Sequence, residues 1–146
     1  MKMKFLCATD GSLASEKAVA WTVDLCKALK GYGLEAELTF LTVSMVPEEG
    51  ESVHGVSIMK NAVDEQVFRE LHTARARALE AGIGNVTCAK ASGRNIAATI
   101  IHYAESEGYN HIIVGSTGRT GVARILLGSV ASEVVAKAHC PVTVVR

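Results

Sequence analysis

Apolar positions in this chain fall into short runs separated by longer amphipathic stretches, and the two kinds of segment alternate from one end to the other. Lys4-Phe5-Leu6-Cys7-Ala8-Thr9 is brief, mostly apolar and followed by the turn cluster Asp10-Gly11-Ser12, which predicts a buried strand. Ala14, Ala18, Trp21, Leu25 and Leu29 then recur at spacings of three and four, predicting a helix with that apolar stripe. Ser12 or Ser15 can cap it, Glu16 suits the positive end of its dipole, and Gly31 and Gly33 stop it. Residues 38–43 predict a second strand. Residues 44–60 hold Pro47, Gly50, Gly55 and three glutamates without clear periodicity, a connection long enough to be either a lid or an irregular surface insert.

The second half repeats the alternation. Val63, Val67, Leu71, Ala74 and Ala78 mark a helix opened by Asp64 and Glu65 and ended by Gly82. A strand over 85–91, a helix over 95–107, a strand over 111–114, a helix ending near His139 and a last strand, Val142–Val145, complete the chain. Pro141 is tolerated at the entry to that last strand because it need not donate to a ladder there. Strands alternating with helices predict a parallel sheet covered on both faces, a three-layer α/β fold. Near-continuous apolar runs in the first and fourth strands fit burial on both sides. No internal repeat, low-complexity tract or linker interrupts the pattern, so residues 1–146 are expected to form one domain.

Composition narrows the picture. A chain of 146 residues with 49% hydrophobic content can build a core without staples. Cys7, Cys26, Cys88 and Cys140 form no C-x-x-C pair and sit in apolar runs, where cysteine acts as a small buried hydrophobe. Free core thiols point to a reducing compartment. The first apolar stretch breaks at Asp10, too early for a signal peptide, and no run approaches the length of a membrane span. A cytoplasmic protein with no membrane partner is expected. Fifteen basic against fifteen acidic side chains, with three Phe, three Tyr and one Trp, argue against nucleic acid as a partner. A small anionic ligand needs no global charge excess and stays open.

In open sheets of this kind, ligands bind beyond the carboxyl ends of the strands, where the strand order reverses. The run after the fourth strand, from Gly115 to Ser129, carries the chemistry. Gly118 and Gly121 allow positive φ and close backbone approach, so successive N–H groups can form an anion-binding concavity. The hydroxyls of Ser116 and Thr117 flank it, and Arg119 and Arg124 can add charge-assisted contacts. Gly128 interrupts the apolar run, and Ser129 is expected to cap a last helix whose start would favour a phosphate. Such glycines also make ordinary turns. Three of them, with three hydroxyls and an arginine within seven residues after a central strand, exceed what a turn requires. Asp10 can accept hydrogen bonds from ribose hydroxyls or cap the first helix, and it is the only carboxylate expected near the site.

Other signatures are missing. The chain has no G-x-x-x-x-G-K-[ST], no G-x-S-x-G elbow and no H-E-x-x-H, and Gly82-Ile83-Gly84 precedes a strand instead of following one. His54, His72, His102, His111 and His139 show no metal-ligand spacing.

With these residues assembled, the chain resembles the universal stress protein family from end to end. The pattern G-x2-G-x9-G-[ST] is met by Gly115, Gly118, Gly128 and Ser129. Ile125-Leu126-Leu127, Val130, Ala8-Thr9-Asp10-Gly11-Ser12 and Cys140-Pro141-Val142 are also similar to the family. The resemblance implies a Rossmann-like open sheet of five parallel strands, order 3-2-1-4-5, with ATP, or AMP, between strands one and four. Ala8, Thr9 and Asp10 would line the adenosine end and Val43 would meet adenine through its backbone. Gly115, Gly118, Arg119, Gly128, Ser129 and Val130, beside Ser116 and Thr117, would surround ribose and phosphates, with Mg2+ bound through the phosphates and no direct metal ligand. The family implies a homodimer through the last strand, an apolar edge inviting pairing. One departure is Gly93-Arg94-Asn95, where the family often has Gly-x-Pro. Asn95 can still cap the next helix, while the rim contacts to ribose lose that support.

Three functions are compatible with these features. The leading one is an ATP-binding, nucleotide-sensing stress or signalling module with no catalytic residue assigned. A slow Mg-dependent ATP hydrolase or phosphotransferase is the second, since phosphoryl transfer needs positioning more than covalent chemistry. The third is a nucleotide-independent dimeric adaptor.

Overall fold

The computed structural model describes residues 2–46, 53–117 and 126–146, with residues 53–64 described by their backbone alone. The elements are β1 (Met3–Ala8), α1 (Leu13–Gly31), β2 (Ala36–Met45), α2 (Val53–Glu80), β3 (Val86–Gly93), α3 (Ile96–Ser106), β4 (His111–Gly115), α4 (Ser129–Lys137) and β5 (Val142–Val145). The strands form one sheet of order β3-β2-β1-β4-β5 in which every pairing is parallel. Strand order therefore reverses between β1 and β4, as expected.

Two apolar clusters cover the two faces. On one, Phe5, Cys7, Leu38 and Phe40 pack against Ala18, Val19, Val23 and Cys26 of α1 and Val67, Leu71, Ala74 and Ala78 of α2. On the other, Leu6, Leu41, Ile112 and Val114 pack against Ala97, Ile100 and Ala104 of α3 and Ala131 and Val134 of α4. The alternation of side chains along a strand assigns neighbouring residues to opposite clusters. Tyr109 anchors the second cluster through its hydroxyl, which lies 2.8 Å from that of Thr39.

Two expectations change. The predicted irregular connection 44–60 is shorter, because β2 continues to Met45 and α2 begins at Val53, well before Asp64. Residues 47–52 lie outside the described residues, and with them the question of a lid. In α1 the buried face is Ser15, Ala18, Val19, Thr22, Val23 and Cys26, whereas Trp21 is exposed. Polar residues can enter that face because their hydroxyls are satisfied locally: Thr22 Oγ1 donates to the Ala18 carbonyl at 2.7 Å and Ser15 Oγ to that of Ser12 at 3.0 Å. Ala14, Leu25 and Leu29 lie on the half-buried flank. All four cysteines are free, but only Cys7 and Cys26 are fully buried. No helix among the described residues is long and apolar enough to cross a membrane.

Candidate functional site

At the exit of β1 the chain stays beside β2 for one further residue. The Thr9 amide donates to the Leu41 carbonyl at 2.8 Å, and Thr42 Oγ1 donates to the Thr9 carbonyl at 2.9 Å. Thr9 is buried, and its hydroxyl donates to Ser15 Oγ at 3.2 Å. The turn that follows is local chemistry. Asp10 Oδ1 accepts the Ser12 amide at 2.9 Å, and Gly11 takes a left-handed φ of 76°, open to glycine at no steric cost. Ser12 is the N-cap of α1, its hydroxyl accepting the Ser15 amide at 3.2 Å. Asp10 thus closes the turn one step before the cap, half-buried at the end of the strand.

At the exit of β4, the Ser116 amide donates to Val145 at the end of β5 at 2.8 Å. The Ser116 carbonyl accepts the Gly128 amide at 2.6 Å, which ties the exit of β4 to the start of α4. Gly118, Arg119, Gly121 and Arg124 lie outside the described residues. The expectation that Ser129 caps α4 is corrected. Gly128 is the N-cap (φ −61°, ψ 161°), its carbonyl accepting the Ser132 amide at 3.0 Å, and Ser129 is the exposed first helical residue. Glycine brings no side chain to this position, so no side-chain cap hydrogen bond forms. The amides of the first turn, which a capping side chain ordinarily satisfies, are left to other partners.

Gly115 has a reason of its own. A Cβ there would lie 2.7 Å from the Ala14 carbonyl carbon, 2.8 Å from its oxygen and 3.0 Å from its Cβ. The first turn of α1 rests directly on β4, and the glycine allows that approach.

The elements therefore gather Ala8, Thr9 and Asp10 from β1 and its turn, and Gly115, Ser116, Thr117, Gly128, Ser129 and Val130 from β4 and α4, at the edge where strand order reverses. Val43, on β2, is half-buried against the same cluster as Ala8, Leu127 and Val130, on the α3–α4 face. A second carboxylate also reaches the region: Glu70 of α2 lies directly over Gly11. In sequence it is a polar residue beside the Val67–Leu71 stripe, and only the left-handed glycine opposite it hints at the contact. Thiolate chemistry is disfavoured at the two buried cysteines, because burial pushes Cys7 up to about 12 and Cys26 up to about 11. Among the described residues, no three His, Cys, Asp or Glu side chains are grouped to hold a metal ion.

The family model of the universal stress protein family matches residues 1–146. The chain belongs to the universal stress protein family. Universal stress protein YxiE of Bacillus subtilis is 33% identical over 152 residues, covering 98% of each chain. Among solved structures, hypothetical protein MJ0577 of Methanocaldococcus jannaschii superposes with a TM-score of 0.80 at 31% identity, covering 97% of this chain and 94% of that one. Two more distant structures share the fold. A universal stress protein in complex with cAMP has a TM-score of 0.74 at 22% identity, covering 99% of this chain and 97% of that one. A family protein of Arabidopsis thaliana with AMP bound has a TM-score of 0.68 at 19% identity, covering 98% and 90%.

Proposed function

We propose that residues 1–146 form a single adenine-nucleotide-binding module that takes ATP or AMP and acts in the cytoplasm as a nucleotide-sensing stress or signalling protein. The observation that carries this reading is the start of α4, where glycine occupies the N-cap and makes no side-chain cap hydrogen bond. The hydrogen bond from Gly128 to Ser116 holds that helix end at the exit of β4. A phosphate there would meet backbone N–H groups and the positive end of the dipole. The dipole contributes about 0.3–1 kcal/mol, and up to about 2 when partly buried, so the adenosine half must supply the rest.

Ala8, Thr9 and Asp10 and the backbone at Val43 are the groups proposed for that half, on the apolar side shared with Val130. Gly118 and Arg119 belong to the proposal by the family motif. Mg2+ would arrive on the phosphates and neutralise part of their charge. AMP and cAMP in two proteins of the same fold support an adenine nucleotide as the ligand class. The same reading includes a homodimer through β5, the half-buried strand Val142–Val145 at the sheet edge, whose outer backbone groups would pair with a second copy.

Calorimetric titration of ATP and AMP into wild type and Gly128→Asp tests this reading. Asp at an N-cap is only a few tenths of a kcal/mol better than Gly, so the melting temperature should hold. Its carboxylate would occupy the amides and repel phosphate, and ATP affinity should fall at least about tenfold, or 1.4 kcal/mol. Equal ATP affinity in the two proteins would contradict the proposal.

A further inference from the structure

We infer that Glu70 is a positioning residue for the nucleotide site, its carboxylate locking α2 to the Asp10-Gly11-Ser12 turn so that binding at the turn is felt along α2. The inference rests on the nucleotide reading above and adds a route by which occupancy of the turn would reach α2.

The contact is direct. A Cβ placed on Gly11 would come 2.7 Å from Glu70 Oε2 and overlap Cδ and Oε1 outright, so the carboxylate occupies the space that a side chain at residue 11 would need. Gly11 is also left-handed, at φ 76°. Residue 11 is therefore restricted twice, by its own backbone and by a helix far away in sequence. Glu70 is held in place from its own side. Gln66 Nε2, one turn earlier, donates to Oε1 at 3.1 Å, and Oε2 is shielded from solvent. Val67, Leu71 and Ala74 around it are buried in the α1–α2 cluster, which fixes the helix beneath the carboxylate.

On the opposite side of the same turn, Asp10 accepts the Ser12 amide and Ser12 caps α1. A shift of α2 at Glu70 is therefore felt at Gly11 to the extent that Gln66 and the buried surroundings of Oε2 hold the carboxylate against the turn.

The test uses the full chain with Mg-ATP, comparing wild type, Glu70→Ala, Glu70→Gln and Gln66→Ala by calorimetry and by backbone amide exchange with and without nucleotide. In wild type, ATP should slow exchange in the turn and in α2 around residues 66–74. Glu70→Ala should weaken ATP at least about fivefold and abolish the slowing in α2 while the turn still responds. Glu70→Gln, close in shape, should restore most of both effects. Gln66→Ala removes only the orienting hydrogen bond at an exposed position and should weaken ATP in the same direction by less, which keeps the test open if Glu70→Ala does not fold. Wild-type affinity and wild-type α2 protection in Glu70→Ala, or in Gln66→Ala if the former does not fold, would overturn the inference. A wild type that binds no adenine nucleotide is a different result: it removes the functional reading itself, and the positioning role with it.

Discussion

Gly115→Ala, read by unfolding without ligand, tests the packing of α1 on the sheet. The glycine has no positive φ, so alanine can adopt its backbone conformation, and the effect of the added methyl is steric. That methyl would meet the Ala14 carbonyl carbon at 2.7 Å and its oxygen at 2.8 Å. Both are main-chain atoms in the first turn of a helix, so no flexible side chain can swing aside. Either α1 lifts at its N-terminus or β4 bends. Overpacking of this kind costs about 1–3 kcal/mol, and the reduced freedom of the unfolded chain returns about 0.4–1. A net loss of about 1–2 kcal/mol should lower the melting temperature by about 2–8 °C in a chain of this size. Gly84→Ala is the control, since a Cβ there meets nothing within 4 Å and its φ is not positive; it should be neutral or slightly stabilising. Thermal and urea unfolding followed by circular dichroism read both variants. A Gly115→Ala protein as stable as Gly84→Ala would refute the close approach of α1.

Two further outcomes follow from caps and burial. Asn95→Ala removes the side-chain oxygen that accepts the Ala98 amide at 2.8 Å at the start of α3, and should cost about 0.5–2 kcal/mol in urea unfolding; no loss would show the cap to be idle. His111 sits half-buried against Phe5 with Nε2 2.7 Å from Thr143 Oγ1, and burial lowers its pKa below 6.5. Its folded state prefers the neutral ring, so its share of stability is complete above pH 6.5 and is lost as pH falls through that value toward the lower folded pKa. His111→Gln should flatten the decline in melting temperature from pH 7 to 5, and an unchanged decline would contradict the burial argument.

The alternation of short apolar runs with amphipathic stretches was enough to place the elements of the described residues in order, because buried parallel strands and half-buried helices leave different periods in a sequence. Asn95 was legible as a cap because the rule acts over three residues. The start of α2 was not: Pro47, Gly50 and Gly55 read as a loop, whereas Val53 and Gly55 lie within the helix. Periodicity puts Trp21 on the buried face of α1 because Ser15 and Thr22 count as polar, although local hydrogen bonds let them enter the core. By residue type Ser129 is the better cap, since serine caps better than glycine, yet Gly128 holds that position. At the site, Asp10 and the glycines announce themselves by type and clustering. Glu70 does not, since nothing in sequence records that a helix residue lies over Gly11.

Chemical-shift mapping of backbone amides during a Mg-ATP titration tests the account at its centre. The amides of Ser129, Val130 and Ala131 at the start of α4 should shift first and furthest, together with Asp10, Gly11 and Ser12, while the amides of β3 stay still. Saturable ATP binding that leaves the first turn of α4 unmoved would contradict the claim that the helix-end amides of α4 hold the phosphates.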